Sequence, residues 1–311
     1  MRFSRNSTLD SATGASLNLY HEPTPGTALG VIQINHGLAE HAGRYAKFAK
    51  RLAAASFHVY AQDHRGHGKT KAPGARLGVF SNEGDGGTKV LDDVASVHAH
   101  IADQHAGLPV FIFGHSMGGL ITMNYVLRNP SGLAGAAVWN ANFSGGIAGR
   151  IAQGLLRWER LRLGSDVPSR ILPALTFGTW AKSVKDRRTD FDWLSHDEKI
   201  VDAYIADPHC GWPASVGMWQ DVFALIYGGA EVRDASSAVK ALPLHLAGGG
   251  EDPATNRAKA VSEQAGRLRA AGFADVTLKI YPDFRHETLN EIGGEKAVDD
   301  LIGWIRQKAS A

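Results

Sequence analysis

Gly114, His115, Ser116, Met117 and Gly118 set a serine between two glycines inside FIFGHSMGG (111–119). An apolar run leads into this group and a helix-forming run follows it. That strand–turn–helix context is the one in which a G-x-S-x-G serine acts as a nucleophile. Small flanking residues let the backbone turn sharply and pack closely. The hydroxyl would then stand above a sheet edge beside the free amides of a helix N-terminus, which are useful where negative charge develops on a substrate oxygen. The chemistry indicated is acyl transfer to serine. In a chain with 36 glycines the bare pattern also arises by chance, so it needs a base to support it.

A serine hydroxyl is a weak nucleophile until a neighbouring base takes its proton. Of the 14 histidines, His286 in YPDFRHETLNE is the best placed, just past the last expected strand. His58, His98, His100 and His105 lie on elements with no chemical partner in view. His115 adjoins the serine, but neighbours on so tight a turn point apart. A carboxylate must then hold the imidazole tautomer and stabilise the cation formed during attack. Asp252 in GGGEDPA is favoured, with Glu251 and Asp283 as rivals; Asp283 would require a sharp fold-back. The order Ser116, Asp252, His286 agrees with the serine–acid–histidine order that accompanies such a turn. Two donors must also converge on the developing oxyanion. The Met117 amide supplies one, and INHGLAEH supplies the other through the Leu38 amide, with Gly37 allowing close approach. His36 and Glu40 read as groups that hold this loop in shape.

These residues need a sheet edge on which to meet. LGVIQIN (29–35), FHVYAQD (57–63), LPVFIFG (108–114), AGAAVWN (134–140), LPLHLAG (242–248) and VTLKIYP (276–282) read as short buried strands. Helical spacing recurs over 44–55, 88–105, 117–129 (stopping before Pro130), 255–271 and 294–308. The alternation predicts a mostly parallel sheet covered by helices on both faces, with ligands beyond the strands' carboxyl ends. Residues 143–230 break the rhythm and hold five of the seven tryptophans. They read as a helical cap over that edge, and 1–142 with 231–311 as the core. Any single tryptophan is more simply glue than pocket wall, but together they should enclose an apolar pocket.

The chain has 311 residues, 44% hydrophobic and 21% charged, with a formal charge of +2. That is ordinary globular composition, and its mixed charges give no reason to expect nucleic acid. A single cysteine, Cys210, rules out an internal disulfide and suits a reducing compartment. MRFSRNSTLDS has no apolar run of the signal-peptide kind, and nothing approaches the roughly 18 apolar residues of a membrane span. The expectation is a cytoplasmic protein without integral membrane insertion. Transient contact of an apolar lid with a membrane surface is compatible with the sequence, although no basic anchoring stripe is visible in it. Oligomeric state is left open. Neither HExxH nor a calcium-loop pattern occurs, and the glycines do not form a dinucleotide fingerprint, so no metal or cofactor is expected.

HGLAEHAGRY (36–45), DHRGHG (63–68), GHSMGG (114–119) and RHE (285–287), with WLSHDEKIVDAYIADPHCG (193–211), resemble the monoacylglycerol lipase and lysophospholipase branch of the α/β-hydrolases, also called serine aminopeptidase-like. The resemblance spans nearly the whole chain. It implies the α/β-hydrolase fold with a helical lid over an acyl pocket, Ser116 as nucleophile, Asp252 as acid, His286 as base, and the Leu38 and Met117 amides as oxyanion hole. Thr70 replaces the serine usual after DxRGHG, and Asp283 replaces a common small residue. The expected activity is hydrolysis of a monoacyl ester, a small molecule with an apolar acyl chain, through an acyl-enzyme. The alternatives are a short-chain carboxylesterase, an amide or peptide hydrolase, and a noncatalytic binding module on the same fold.

Overall fold

The expected apolar runs form strands in a computed structural model that describes residues 1–128 and 131–310. Eight strands make one sheet among these residues: β1 (Arg5–Asp10), β2 (Ser16–Glu22), β3 (Gly30–Asn35), β4 (Phe57–Gln62), β5 (Val110–His115), β6 (Leu133–Trp139), β7 (Leu244–Gly249) and β8 (Val276–Tyr281). Their spatial order is β1-β2-β4-β3-β5-β6-β7-β8. From β4 to β8 all neighbours are parallel; β1 and β2 add an antiparallel hairpin at one edge. The sheet is therefore mostly parallel, as expected. The hairpin lies outside the sequence expectation, because Arg5–Asp10 is polar and largely exposed. Its visible signal is the alternation of buried Leu17 and Leu19.

Helices cover both faces because successive side chains on each strand point opposite ways. On β5, Phe111 and Phe113 pack with Phe48 and Leu52 of α1 (Ala46–Ala54) and Trp304 of α11 (Glu295–Ala309). Ile112 faces the other way, onto Val90 and Val94 of α2 (Gly86–Gln104) and Ile121 of α3 (Met117–Arg128). Each such side chain contributes about 1.5–3 kcal/mol through burial. The stop of α3 expected before Pro130 lies outside the described residues.

Between β6 and β7 the chain leaves the sheet as α4 (Gly146–Leu163), α5 (Leu172–Leu175), α6 (Phe177–Ser183), α7 (Glu198–Ala206), α8 (Val216–Ala230) and α9 (Ser237–Ala241). Ser215 starts α8 by accepting the Met218 amide at 3.1 Å, a capping bond typically worth about 1 kcal/mol. Helix α8 packs on α4 and also on α2 and α3, joining the insertion to the layer that covers the sheet. Lys259–Ala270 forms α10 against β7 and β8. No helix among the described residues is long and apolar enough to cross a membrane.

One fully buried ion pair fixes the loop after β4. Arg65 Nε donates to Asp93 Oδ2 at 2.7 Å, and Asp93 Oδ1 accepts from Ser11 (2.6 Å) and Thr13 (2.5 Å) in the β1–β2 turn. Asp93→Ala strands the guanidinium, a loss that typically costs about 3–5 kcal/mol. The expected result is a lower denaturant midpoint; an unchanged midpoint would show that the pair contributes nothing.

Candidate active site

The turn after β5 holds Ser116 at φ +55°, a left-handed conformation that costs a non-glycine residue on the order of 1–3 kcal/mol and must be imposed by its surroundings. The Ser116 amide donates to Trp139 O at the end of β6 (2.9 Å), and the Ser116 carbonyl accepts from the Gly119 and Leu120 amides (2.9 and 3.1 Å). A Cβ on Gly114 would lie 2.1 Å from Gly118 O, and one on Gly118 would lie 2.0 Å from Asn35 O at the end of β3. Both glycines are required by backbone contact, the role their spacing predicts.

The loop after β3 runs alongside. A Cβ on Gly37 would lie 3.5 Å from Ser116 Cβ and 2.6 Å from Glu40 Oε1. Glu40 accepts from the Gly37 amide (2.6 Å) and the Tyr45 hydroxyl (2.8 Å), while His36 Nε2 accepts from the His64 amide (2.9 Å). His36 and Glu40 thus brace the loop. The Leu38 and Met117 amides meet no acceptor among the described residues, and both residues border the same cavity as Ser116. Thr70 keeps the hydroxyl its position calls for: it donates to Asp63 O (2.6 Å) and accepts from the Asn18 amide (2.9 Å).

Asp252 is fully buried beyond β7. Its Oδ2 accepts from His286 Nδ1 (3.0 Å), Asn140 Nδ2 (3.1 Å) and Thr255 Oγ1 (2.8 Å), and its Oδ1 accepts from the Ala254 amide (2.9 Å). Burial alone would raise this carboxyl's pKa; the His286 ring and these hydrogen bonds outweigh it and lower the pKa below its ordinary value. Glu251 instead pairs with His196 (3.2 Å), and Asp283 is exposed. Of the three carboxylates, Asp252 is the one that meets His286. His286 and Ser116 border one cavity. The serine hydroxyl makes no hydrogen bond among the described residues, a looseness common before substrate tightens such a site.

Several supporting residues were not legible in the sequence. Asn140, at φ +50°, also accepts from Thr288 Oγ1 (3.0 Å), so it ties the acid to the histidine loop. The His115 ring lies against the histidine loop: its Nε2 lies 2.9 Å from His286 O, and its ring packs 4.9 Å from the His286 ring. Arg44 bridges Glu40 and Glu287, bonding Glu287 at 2.7 and 2.9 Å. Burial disfavours charge on His115 and on Glu40. For His115, Glu40 and Glu287 reverse the balance and raise its pKa; for Glu40, Arg44 and His115 hold the pKa well below its ordinary value.

The cavity encloses about 490 Å³, within the range of small-molecule sites. The insertion supplies much of its apolar wall, including Leu172, Phe177, Trp180, Trp219 and Phe223. Trp193 lines it and packs 5.1 Å from the His286 ring. Trp212 instead packs on His67 (4.8 Å), and Trp158 is half exposed. Three of the insertion's five tryptophans therefore wall the cavity.

The family model for serine aminopeptidase, S33, matches residues 26–293. The monoacylglycerol lipase of Mycolicibacterium smegmatis is 32% identical over 298 residues, covering 92% of each chain. The monoglyceride lipase of Homo sapiens is 32% identical over 193 residues, covering 61% of this chain and 54% of its own. Among solved structures, a thermostable carboxyl esterase from Bacillus coagulans in complex with glycerol superposes with a TM-score of 0.87 at 23% identity, covering 99% of both chains. That likeness bears on fold alone.

Asn140→Ala removes two hydrogen bonds from the acid–histidine unit. At about 1–3 kcal/mol for an unsatisfied buried partner, kcat should fall roughly 5- to 150-fold while the protein stays folded. A variant turning over at the wild-type rate would deny Asn140 this positioning role.

Proposed function

Since the chain belongs to the serine aminopeptidase, S33, family of the α/β-hydrolases, we propose that it hydrolyses monoacyl carboxylic esters, of the monoacylglycerol or lysophospholipid type, through an acyl-enzyme on Ser116. The observation that carries this reading is the His286 Nδ1–Asp252 Oδ2 bond of 3.0 Å, made where His286 and Ser116 border one largely apolar cavity. With the Nδ1 proton facing Asp252, His286 Nε2 is left as the base. Ser116 Oγ attacks the ester carbonyl as His286 takes its proton, and the oxyanion accepts from the Leu38 and Met117 amides. His286 then gives that proton to the departing alcohol. A water, deprotonated in turn by His286, attacks the acyl-serine, and the acid leaves as the serine recovers its proton.

The helical insertion 143–230 acts as the cap that shapes the acyl side. The apolar wall of the cavity and the two lipase relatives support a chain longer than acetyl or butyryl. A cytoplasmic setting is supported by the lone cysteine. Helix α4 also supports passing contact with a lipid surface. Ile147, Ile151, Trp158 and Leu161 are exposed there, at spacings that share one helix face. Arg150, Arg157 and Arg162 are exposed around them. These arginines supply the basic flank that the linear sequence did not reveal, and an apolar face with basic borders suits an anionic interface.

Ser116→Ala should lower kcat by about 10⁶ and abolish fluorophosphonate labelling of the folded protein. Labelling or turnover at the wild-type level would refute the nucleophile. Across p-nitrophenyl esters of rising acyl length, kcat/KM should peak beyond four carbons, and a maximum at two to four carbons favours the short-chain alternative. Ile147→Asp with Leu161→Asp should reduce sedimentation with phosphatidylglycerol vesicles while leaving hydrolysis of soluble esters intact. Equal sedimentation of variant and wild type would remove the surface contact.

A further inference from the structure

At the end of the sheet opposite Ser116, three histidines from separate elements converge. His21 lies on β2, His58 near the start of β4, and His105 just past α2. One ligand-competent nitrogen from each lies within 4.8 Å of the others. The His58 and His105 rings stack at 4.4 Å, and His21 lies 5.7 and 6.1 Å from them. The arrangement is braced from behind: the His21 ring stacks on Tyr60 at 4.1 Å, and the Tyr60 hydroxyl sits 2.9 Å from His105 Nε2. His21 Nε2 is buried with no hydrogen-bond partner among the described residues, an orphan that calls for a ligand. All three side chains are only partly buried, so the cluster is open to solvent.

From this geometry we propose that His21, His58 and His105 bind a divalent transition-metal ion of the zinc class, cross-linking β2, β4 and the end of α2. Three imidazoles suit Zn²⁺, Ni²⁺ or Cu²⁺, whereas Mg²⁺ and Ca²⁺ want oxygen donors. Zinc–nitrogen bonds of about 2.0–2.1 Å require ligand nitrogens roughly 3.3 Å apart, so the rings draw in slightly and leave a fourth position for water. Metal ligation needs neutral imidazole, and the site favours it. Burial, then neighbouring His58 and Arg5, bring the His21 pKa down to about 4; burial first also lowers His58 and His105. The Thr24 amide donates to His58 Nδ1 at a long 3.3 Å, a weak bond that a change of tautomer on ligation would give up. None of the proposed catalytic residues touches the cluster, so the ion braces the fold and takes no part in ester cleavage.

The rival set is His41, Asp207 and Cys210. It already holds a His41–Asp207 pair at 3.0 Å, and burial pushes its thiol well above the ordinary range.

The test is Zn²⁺ titration of the full chain, free of any polyhistidine tag and stripped of metal, in competition with a chromophoric chelator. One ion per chain should bind and raise Tm. His21→Ala and His58→Ala should each weaken binding by more than about tenfold, the lower range for loss of even an outer partner. Hydrolysis of soluble ester in metal-free buffer should not change, and His41→Ala should bind as wild type does. If either alanine variant fails to fold, Co²⁺ added to the wild type should give the intense visible bands of a low-coordinate nitrogen site. Absence of uptake, uptake that survives both variants, or uptake lost with His41→Ala overturns the proposal.

Discussion

The left-handed Ser116 backbone is the constraint on which the rest of the site depends. It is reached only because three strands meet there without side chains between them: Gly118 lies against Asn35 O, Gly114 against Gly118 O, and the Ser116 amide on Trp139 O. The same squeeze aims the first amide of α3 and seats the Gly37 loop beside the serine. A methyl group at either flanking glycine would separate β3, β5 and α3, and with them the two free amides. The strain at one residue is thus held by the packing of the whole sheet edge.

Charge then decides how the loops stay in register. Asp252 is secured by four donors, and Arg44 links Glu40, in the loop before α1, to Glu287 beside the histidine. Burying so many ionised groups is a weak route to stability. It gives directional contacts between segments hundreds of residues apart in sequence, which nonpolar packing does not specify. His115 shows the economy of the arrangement, since one residue ends the strand before the serine and holds the carbonyl of His286.

Legibility followed locality. The turn at 114–118, the strands and the helices over 44–55 and 88–105 were readable because periodicity and glycine spacing are local properties. Asp252 and His286 could be ranked because strand ends in a parallel sheet gather at one edge. Asn140 and Thr288 were not readable because each acts through a partner on another element. Thr255 reaches Asp252 within its own loop and Arg44 stands inside HGLAEHAGRY, but nothing local shows the bonds they make. Within the insertion, which of five tryptophans face the cavity depends on tertiary packing. The β1–β2 hairpin escaped because an edge strand facing solvent needs little apolar content.

The division of the cavity wall has a consequence for how such a protein diversifies. Leu172, Phe177, Trp180 and Trp219 come from the insertion and make no hydrogen bond to the acid–histidine unit, while Trp193 alone of that segment's tryptophans packs its ring, tilted, against the imidazole. Phe177 and Trp180 pack on the Trp193 ring (5.9 and 4.9 Å), so under the proposed mechanism substrate preference can drift most freely through Leu172 and Trp219 while the reaction stays intact. Change at Trp193 would be felt in both, which makes it the position where selection for a new substrate meets selection for turnover.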